Sequence, residues 1–218
     1  MSKPVTERHD LGDEVVALTF DDGPAEWTLH ILDVLRDAGA VATFFVVGDS
    51  IPGREATLLR IHAEGHELGN HGLTHVPLDT LGRADLRREL ERTTDLIKAA
   101  AGTAPTAFRP PYFRFNRAVL EVAAELGFAW TVNASVFASD WLLESAQEIS
   151  GEILSDVQAG SIVLLHDGRP PHDPPHSAGK SRDDRWPTVE AVRTIVPALI
   201  ERGFQLVTVS DLLQSPGA

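Results

Sequence analysis

Val15-Val16-Ala17-Leu18-Thr19-Phe20-Asp21-Asp22-Gly23-Pro24 joins an apolar run to two adjacent carboxylates and a turn. The run Val15–Thr19 is short and rich in strand-forming residues, and Gly23-Pro24 stops it, so it reads as a buried strand ending at a rim. Comparable runs recur at Thr43–Gly48, Glu67–Asn70, Ala107–Arg109, Phe128–Val132, Ser161–Leu165 and Gln205–Val209. Helix-period segments lie between them. Leu29, Leu32 and Leu35 make one apolar stripe, Leu86, Leu90 and Ile97 a second, and Val192, Ile195, Val196, Leu199 and Ile200 a third. Glycines at 39, 65, 102, 127, 160 and 203 stop the helical segments. Seven strand–helix units in succession predict an α/β fold with a parallel sheet. A doubly wound sheet is compatible with the pattern, but a closed or nearly closed barrel suits this number of units better.

With 218 residues, 43% of them hydrophobic, the chain is expected to fold as one soluble domain around a single core. It has no cysteine, so disulfides and thiolate ligands are excluded and any metal must sit on His, Asp or Glu. Formal net charge is -13, from 19 basic and 32 acidic residues. That balance argues against nucleic acid and anionic membrane surfaces as partners and favours an uncharged substrate. Arg87, Arg88 and Arg92 interleave with Glu89 and Glu91, which reads as a solvated helix face. Met1 to Glu14 lacks an apolar leader segment, and no apolar run is long enough to span a bilayer. The sequence as written therefore reads as cytoplasmic. A leader removed beforehand would leave the same residues in a secreted protein. Composition is silent on the oligomeric state.

Five polar clusters carry candidate chemistry. Asp21-Asp22 stands at the end of the first strand; regular alternation would send the two side chains to opposite faces, and only a bend brings both to one cleft. Alone, Asp-Asp-Gly reads more readily as a solvated turn, and the hydrophobic strand just before it weakens that reading. His71-Gly72-Leu73-Thr74-His75 spaces two imidazoles so that one helical turn can present both to a metal, although two surface histidines would read alike. His66, in the same segment, suits a structural hydrogen bond. Arg109-Pro110-Pro111-Tyr112 is rigid, and its arginine can hold a carboxylate through a forked contact or merely snorkel. Ser139-Asp140-Trp141 follows the strand ending near Val132. Leu164-Leu165-His166-Asp167 is an apolar strand closed by a histidine, which is either a general acid or a rim residue. Each cluster follows a different strand, so all five converge on one rim.

Thr19–Pro24, His71–His75, Arg109–Tyr112, Asp140-Trp141 and Leu164–His166 resemble, in order and spacing, the motifs of the polysaccharide deacetylase family, also called the NodB-homology domain or carbohydrate esterase family 4. The resemblance runs over residues 13–213, with 1–12 as an N-terminal extension and 214–218 as a C-terminal tail. Gly65–His71 and Thr188–Ala191 look like the same family. It implies a distorted (β/α) barrel of seven or eight parallel strands, and a hydrolase that removes N-acetyl groups from N-acetylglucosamine-containing oligo- or polysaccharides, chitin-like or peptidoglycan-like. It further implies that Asp22, His71 and His75 bind one divalent metal ion, zinc first, with Co, Ni or Mn as substitutes. Asp21 would be the base that activates the metal-bound water, and Arg109 would hold Asp21. The backbone N–H of Tyr112 would stabilise the oxyanion. His166 would protonate the leaving amine, supported by Asp140, while Trp141 and Leu164 would wall the acetyl pocket.

The chain also departs from the family pattern. Gly72 stands where the family has Ser or Thr, which is expected to loosen the turn holding His75. Phe137 stands where an aspartate is frequent. Gly168–Pro187, with five prolines, reads as a long loop at the rim of His166. His172 and His176 within it repeat the three-residue gap, but the surrounding prolines favour a flexible lid over a second metal site. The same catalytic set would also serve a small acetylated amino sugar or a cyclic amide. An idle sugar-binding module is disfavoured, because no ligand or base is missing.

Overall fold

The computed structural model describes residues 3–6, 14–143, 145–172 and 184–214. The strands are β1 (Lys3–Thr6), β2 (Val15–Asp21), β3 (Thr43–Val46), β4 (Glu67–Asn70), β5 (Ala107–Phe108), β6 (Trp130–Val132), β7 (Val136–Phe137), β8 (Ile162–His166) and β9 (Gln205–Leu206). The helices are α1 (Glu26–Ala38), α2 (Glu55–Ala63), α3 (Arg83–Ala101), α4 (Arg117–Glu125), α5 (Ala146–Asp156), α6 (Trp186–Glu201) and α7 (Val209–Gln214). Among the described residues every strand pair is parallel, in the order β1-β6-β5-β4-β3-β2-β8-β7, with β9 joined to the start of β2. The sheet curls into an open, distorted (β/α) barrel, the architecture expected from the sequence. No helix among the described residues is long and apolar enough to cross a membrane.

Alternation along β2 divides two cores. Val16, Leu18 and Phe20 pack outward with Ile31, Leu35, Val192 and Ile195 of α1 and α6. Ala17 faces inward with Phe45, Ala107, Trp130, Ile162, Leu212 and Leu213. Burying one such aliphatic side chain contributes about 1.5–3 kcal/mol, so each face holds its own layer. The last inward positions of β2 are Thr19 and Asp21, which places a carboxylate at the top of the barrel interior. At the opposite end α7 closes the floor. Glu67 opens β4, and its carboxylate accepts hydrogen bonds from Thr43 Oγ1 (2.8 Å), the Ser210 amide (3.0 Å) and Ser210 Oγ (2.5 Å).

Several local expectations shift. The first helix buries Ile31, Leu32, Val34 and Leu35 while Leu29 is exposed, and Ile200 is likewise exposed on α6. β2 and β8 each run further toward the rim than their apolar runs, to Asp21 and His166, because their backbones pair with each other up to that register. Gln205–Val209 is a strand only through Leu206; Thr208 and Asp211 cap each other, and Val209 begins α7. β7 was not anticipated, nor was β1, which lies in the expected N-terminal extension and pairs with β6. The loop expected over Gly168–Pro187 ends at Arg185, because Trp186-Pro187 starts α6, where proline needs no amide partner. Its residues 173–183, including His176, lie outside the described residues, as do 215–218.

Candidate active site

Asp21 and Asp22 reach the same cleft because the backbone bends at once after β2. Asp22 has φ +76°, a left-handed conformation costly for a residue with a Cβ. The bend is held from below by Asp167, whose carboxylate accepts from the Gly23 amide (3.1 Å) and from Thr28 Oγ1 (2.5 Å). Burial, with Asp22 and Asp21 nearby, pushes the Asp167 carboxyl up to about 7.

Arg109 is fully buried within the barrel, its guanidinium 4.3 Å above the Phe45 ring. Nη1 donates to Asp21 Oδ1 and to Thr19 Oγ1, both at 2.7 Å, and Nη2 to the Asn133 carbonyl at 3.1 Å. Burial pushes the Asp21 carboxyl above the usual carboxylate range, while Arg109, His166 and His75 oppose it. Those contacts oppose burial without cancelling it.

The turn at 71–75 is not helical. Gly72 and His75 both have positive φ (79° and 60°), so the two histidines converge through a left-handed turn. Glycine at 72 relieves one of those two strained positions. The turn is also tied down from α3. Glu89 Oε2 accepts from the amides of Leu73 (2.8 Å) and Thr74 (2.9 Å), and Glu89 Oε1 accepts from Thr74 Oγ1 (2.8 Å). Asn70 accepts from the Gly72 amide (2.9 Å) and donates to the Leu90 carbonyl (2.9 Å). Glu89 is therefore buried, which corrects the reading of its segment as a solvated face; Arg87 and Glu91 do pair there in solvent. Its spacing from Leu86 and Thr93, both buried, carried the signal.

The second half of the cleft is a histidine–carboxylate pair. Asp140 Oδ1 lies 2.7 Å from His166 Nδ1, and Oδ2 accepts from the His166 amide (2.9 Å) and Thr188 Oγ1 (2.8 Å). Burial disfavours the charged imidazole, but the charge and hydrogen bond of Asp140, with Asp22 and Asp21 beyond, outweigh it and raise His166 to about 9. For Asp140, burial is likewise outweighed by His166 and the hydrogen bonds, which hold its carboxyl below the usual range. Thr188 was quoted in the sequence pattern without a role; the start of α6 brings it under Asp140. Trp141 meets the His166 ring edge-on at 5.0 Å.

Asp21, Asp22, His71, His75 and His166 line a cleft of about 350 Å³, together with Tyr112, Trp141 and Leu164. Tyr112 is half-exposed, with φ +58°, its ring 4.6 Å from that of His75. Phe137 is exposed on β7. Arg169, Pro170 and Arg185 line the cleft from the segment read as a loop, and no sequence spacing marked them. His66 lies apart, accepting from the Ala42 amide at 3.2 Å as a structural residue, and burial lowers it to about 4. His172 pairs with Asp49 at 2.9 Å.

Asp22, His71 and His75 fit a divalent ion. Their ligand atoms lie within 4.8 Å of one another, and Asp22 Oδ1 is buried with no hydrogen-bond partner. It stands 3.5 Å from His71 Nε2 and 3.3 Å from His75 Nε2. Two ligands each about 2.1 Å from a tetrahedral ion are themselves about 3.4 Å apart. His71 Nδ1 is 2.7 Å from the Arg109 carbonyl, which can only accept, so Nδ1 carries the proton and Nε2 offers its lone pair. Burial and His75 lower His71 to about 3, which keeps it neutral. No thiol competes, and the N/O donor set is one that zinc and its neighbours accept.

An open parallel barrel with an arginine-held aspartate, a histidine–carboxylate pair and three side chains that could hold a cation at its C-terminal rim has the arrangement of a hydrolase of the strand-rim kind. The chain belongs to the polysaccharide deacetylase family, whose profile matches residues 8–130, and it is an N-deacetylase. It is 38% identical over 199 residues to a chitooligosaccharide deacetylase of Sinorhizobium fredii, covering 90% of this chain and 91% of the relative. It is 32% identical to a peptidoglycan-N-acetylglucosamine deacetylase of Bacillus cereus, over 93% of this chain and 89% of that one. Among solved structures, the Bc1960 peptidoglycan N-acetylglucosamine deacetylase, in complex with 4-naphthalen-1-yl-N-oxidanyl-benzamide, superposes with a TM-score of 0.84 at 32% identity, over 97% of this chain and 93% of that one.

Proposed function

We propose that the protein deacetylates N-acetylglucosamine units of chitin-like or peptidoglycan-like oligo- or polysaccharides, with one divalent ion, zinc foremost, held by Asp22, His71 and His75. The observation that carries this reading is the placement of the Asp21–Arg109 pair and the Asp140–His166 pair around one cleft, with the three-residue cation site between them. Similarity to deacetylases of both polymer classes supports the substrate. The ion, when bound, supplies a Lewis acid that makes water a nucleophile near neutral pH.

The chain's own residues supply the rest. Arg109 occupies Asp21 Oδ1, which leaves Oδ2 to take a proton from the attacking water. Burial favours the protonated state that results, so the carboxyl is tuned toward accepting that proton. The backbone N–H of Tyr112 donates to the oxyanion as the acetyl carbonyl becomes tetrahedral; losing one such donor costs about 3–4 kcal/mol. His166 holds Asp140 through Nδ1, so Nε2 delivers its proton to the sugar nitrogen as the C–N bond breaks. Trp141 and Leu164 confine the acetyl methyl. Acetate release should be measured over a panel of acetylated amino sugars of rising length, together with cyclic amides, using metal-stripped protein with one metal restored at a time. Turnover of chito- or peptidoglycan-type oligomers that needs the ion is expected. Equal turnover by the stripped protein, or turnover confined to monosaccharides or cyclic amides, would overturn the reading.

A further inference from the structure

Glu89 is a carboxylate on the buried side of a surface helix, and no catalytic step above uses it. Its three hydrogen bonds all go to the turn between His71 and His75: two backbone amides and one hydroxyl, each between 2.8 and 2.9 Å. Contacts of this kind to a carboxylate are about twice as strong as neutral ones, and a buried carboxylate left without them is penalised further. The backbone they hold is one it would otherwise avoid. Gly72 sits at φ +79°, a region open to glycine, but His75 sits at φ +60°, which a residue with a Cβ disfavours. Such conformations persist only where the surroundings over-determine them.

Gly72 makes the clasp more consequential in this chain. A glycine has more backbone freedom to lose than any other residue, and here it replaces the serine or threonine of the family pattern. A Cβ at this position would lie 3.6 Å from Glu89 Oε2 and 3.6 Å from Pro111 Cγ, so the side chain missing at 72 would face the same carboxylate. Asn70 fixes the Gly72 amide; Glu89 fixes the next two amides. The three amides between the two histidines are thus tied to α3, directly or through Asn70, while the Gly72 and Leu73 carbonyls accept from the Gly48 and Asp49 amides.

We infer that Glu89 is a positioning residue that sets the affinity of the His71–His75 turn for its ion, by holding the two imidazoles at binding distance before the ion arrives. The inference rests on the metal reading of the site. Outer-shell partners of metal ligands typically contribute about 10–100-fold in affinity. Glu89→Gln removes one acceptor oxygen, so its zinc dissociation constant, measured by competition with a chelating dye, should rise by about that factor. Its kcat should return to the wild-type value once zinc is saturating. Thr74→Val, which removes only the hydroxyl contact, should weaken binding less and serves if Glu89→Gln fails to fold. If both variants bind zinc as the wild type does, or if kcat stays low at saturating zinc, the inference is overturned. A wild type that binds no divalent ion would instead bring down the metal reading and this inference together.

Discussion

Asp21 and Asp22 are neighbours with separate assignments, and the division comes from one backbone angle. On a regular strand Asp22 would point away from the interior; at φ +76° it joins the cation site while Asp21 stays on Arg109. Asp21→Asn keeps the shape and removes the proton acceptor, so it should retain zinc while kcat falls by about 10²–10⁴-fold, checked by acetate release beside a metal assay. In the proposed mechanism His166 is the acid and must be protonated. Its value near 9 lies above the ordinary 6.5, so the competent form persists through neutral pH and kcat should decline only as pH rises through about 9. Asp140→Asn removes the largest contribution holding that proton, and the alkaline limb of the pH–rate profile should move down toward about 6.5. Asp21, His71, Arg109 and His166 stood out in the sequence because each ends or closely follows a strand-like run, and the roles expected of them came from the family resemblance. Glu89, Thr188 and Asp167 did not. They act from behind, Glu89 and Asp167 on backbone amides and Thr188 on the Asp140 carboxylate; Glu89 lay in a charge pattern that reads as solvent-facing, while Asp167 and Thr188 stood in quoted motifs without a role.

Between elements, the tightest joint at the rim is where β8 leaves the sheet beside the turn after β2. A Cβ on Gly168 would come within 2.5 Å of the Asp22 carbonyl oxygen and 2.9 Å of Gly23 Cα, and both are backbone atoms with nowhere to move. Gly168→Ala should therefore displace the Asp22 turn. A shift of about 1 Å can cost about 100-fold, so kcat/KM should fall by that order while unfolding free energy drops by about 1–3 kcal/mol from overpacking. Acetate kinetics and denaturant melts would check both. Helices and long strands were readable from periodicity, because burial on one face imposes it. β7 has two residues, too few to show a period, and exists because neighbouring backbone is already in place. Of the stripe Leu29, Leu32 and Leu35, the last two are buried as expected; Leu29 is exposed, and α1 buries Ile31 and Val34 beside them.

At the scale of the whole molecule, the count of strand–helix units was enough to anticipate a parallel, curled sheet. The strand order was not visible in composition, since it depends on which edges meet. The same holds for α7 under the barrel, which a reading of Gln205–Val209 as one strand obscured. That floor lies at the opposite end of the strands from the cleft. Ser210→Ala removes a hydroxyl from the half-buried Glu67 carboxylate, costing about 1–3 kcal/mol, and should lower the melting temperature by about 2–12 °C with kcat unchanged. Differential scanning calorimetry beside steady-state rates would test it. The floor at Glu67 and Ser210 thus lies at the far pole of the barrel from the chemistry. Mutations confined to the lower pole can harden the catalyst against heat, while the upper pole is left free to be retuned for a different glycan.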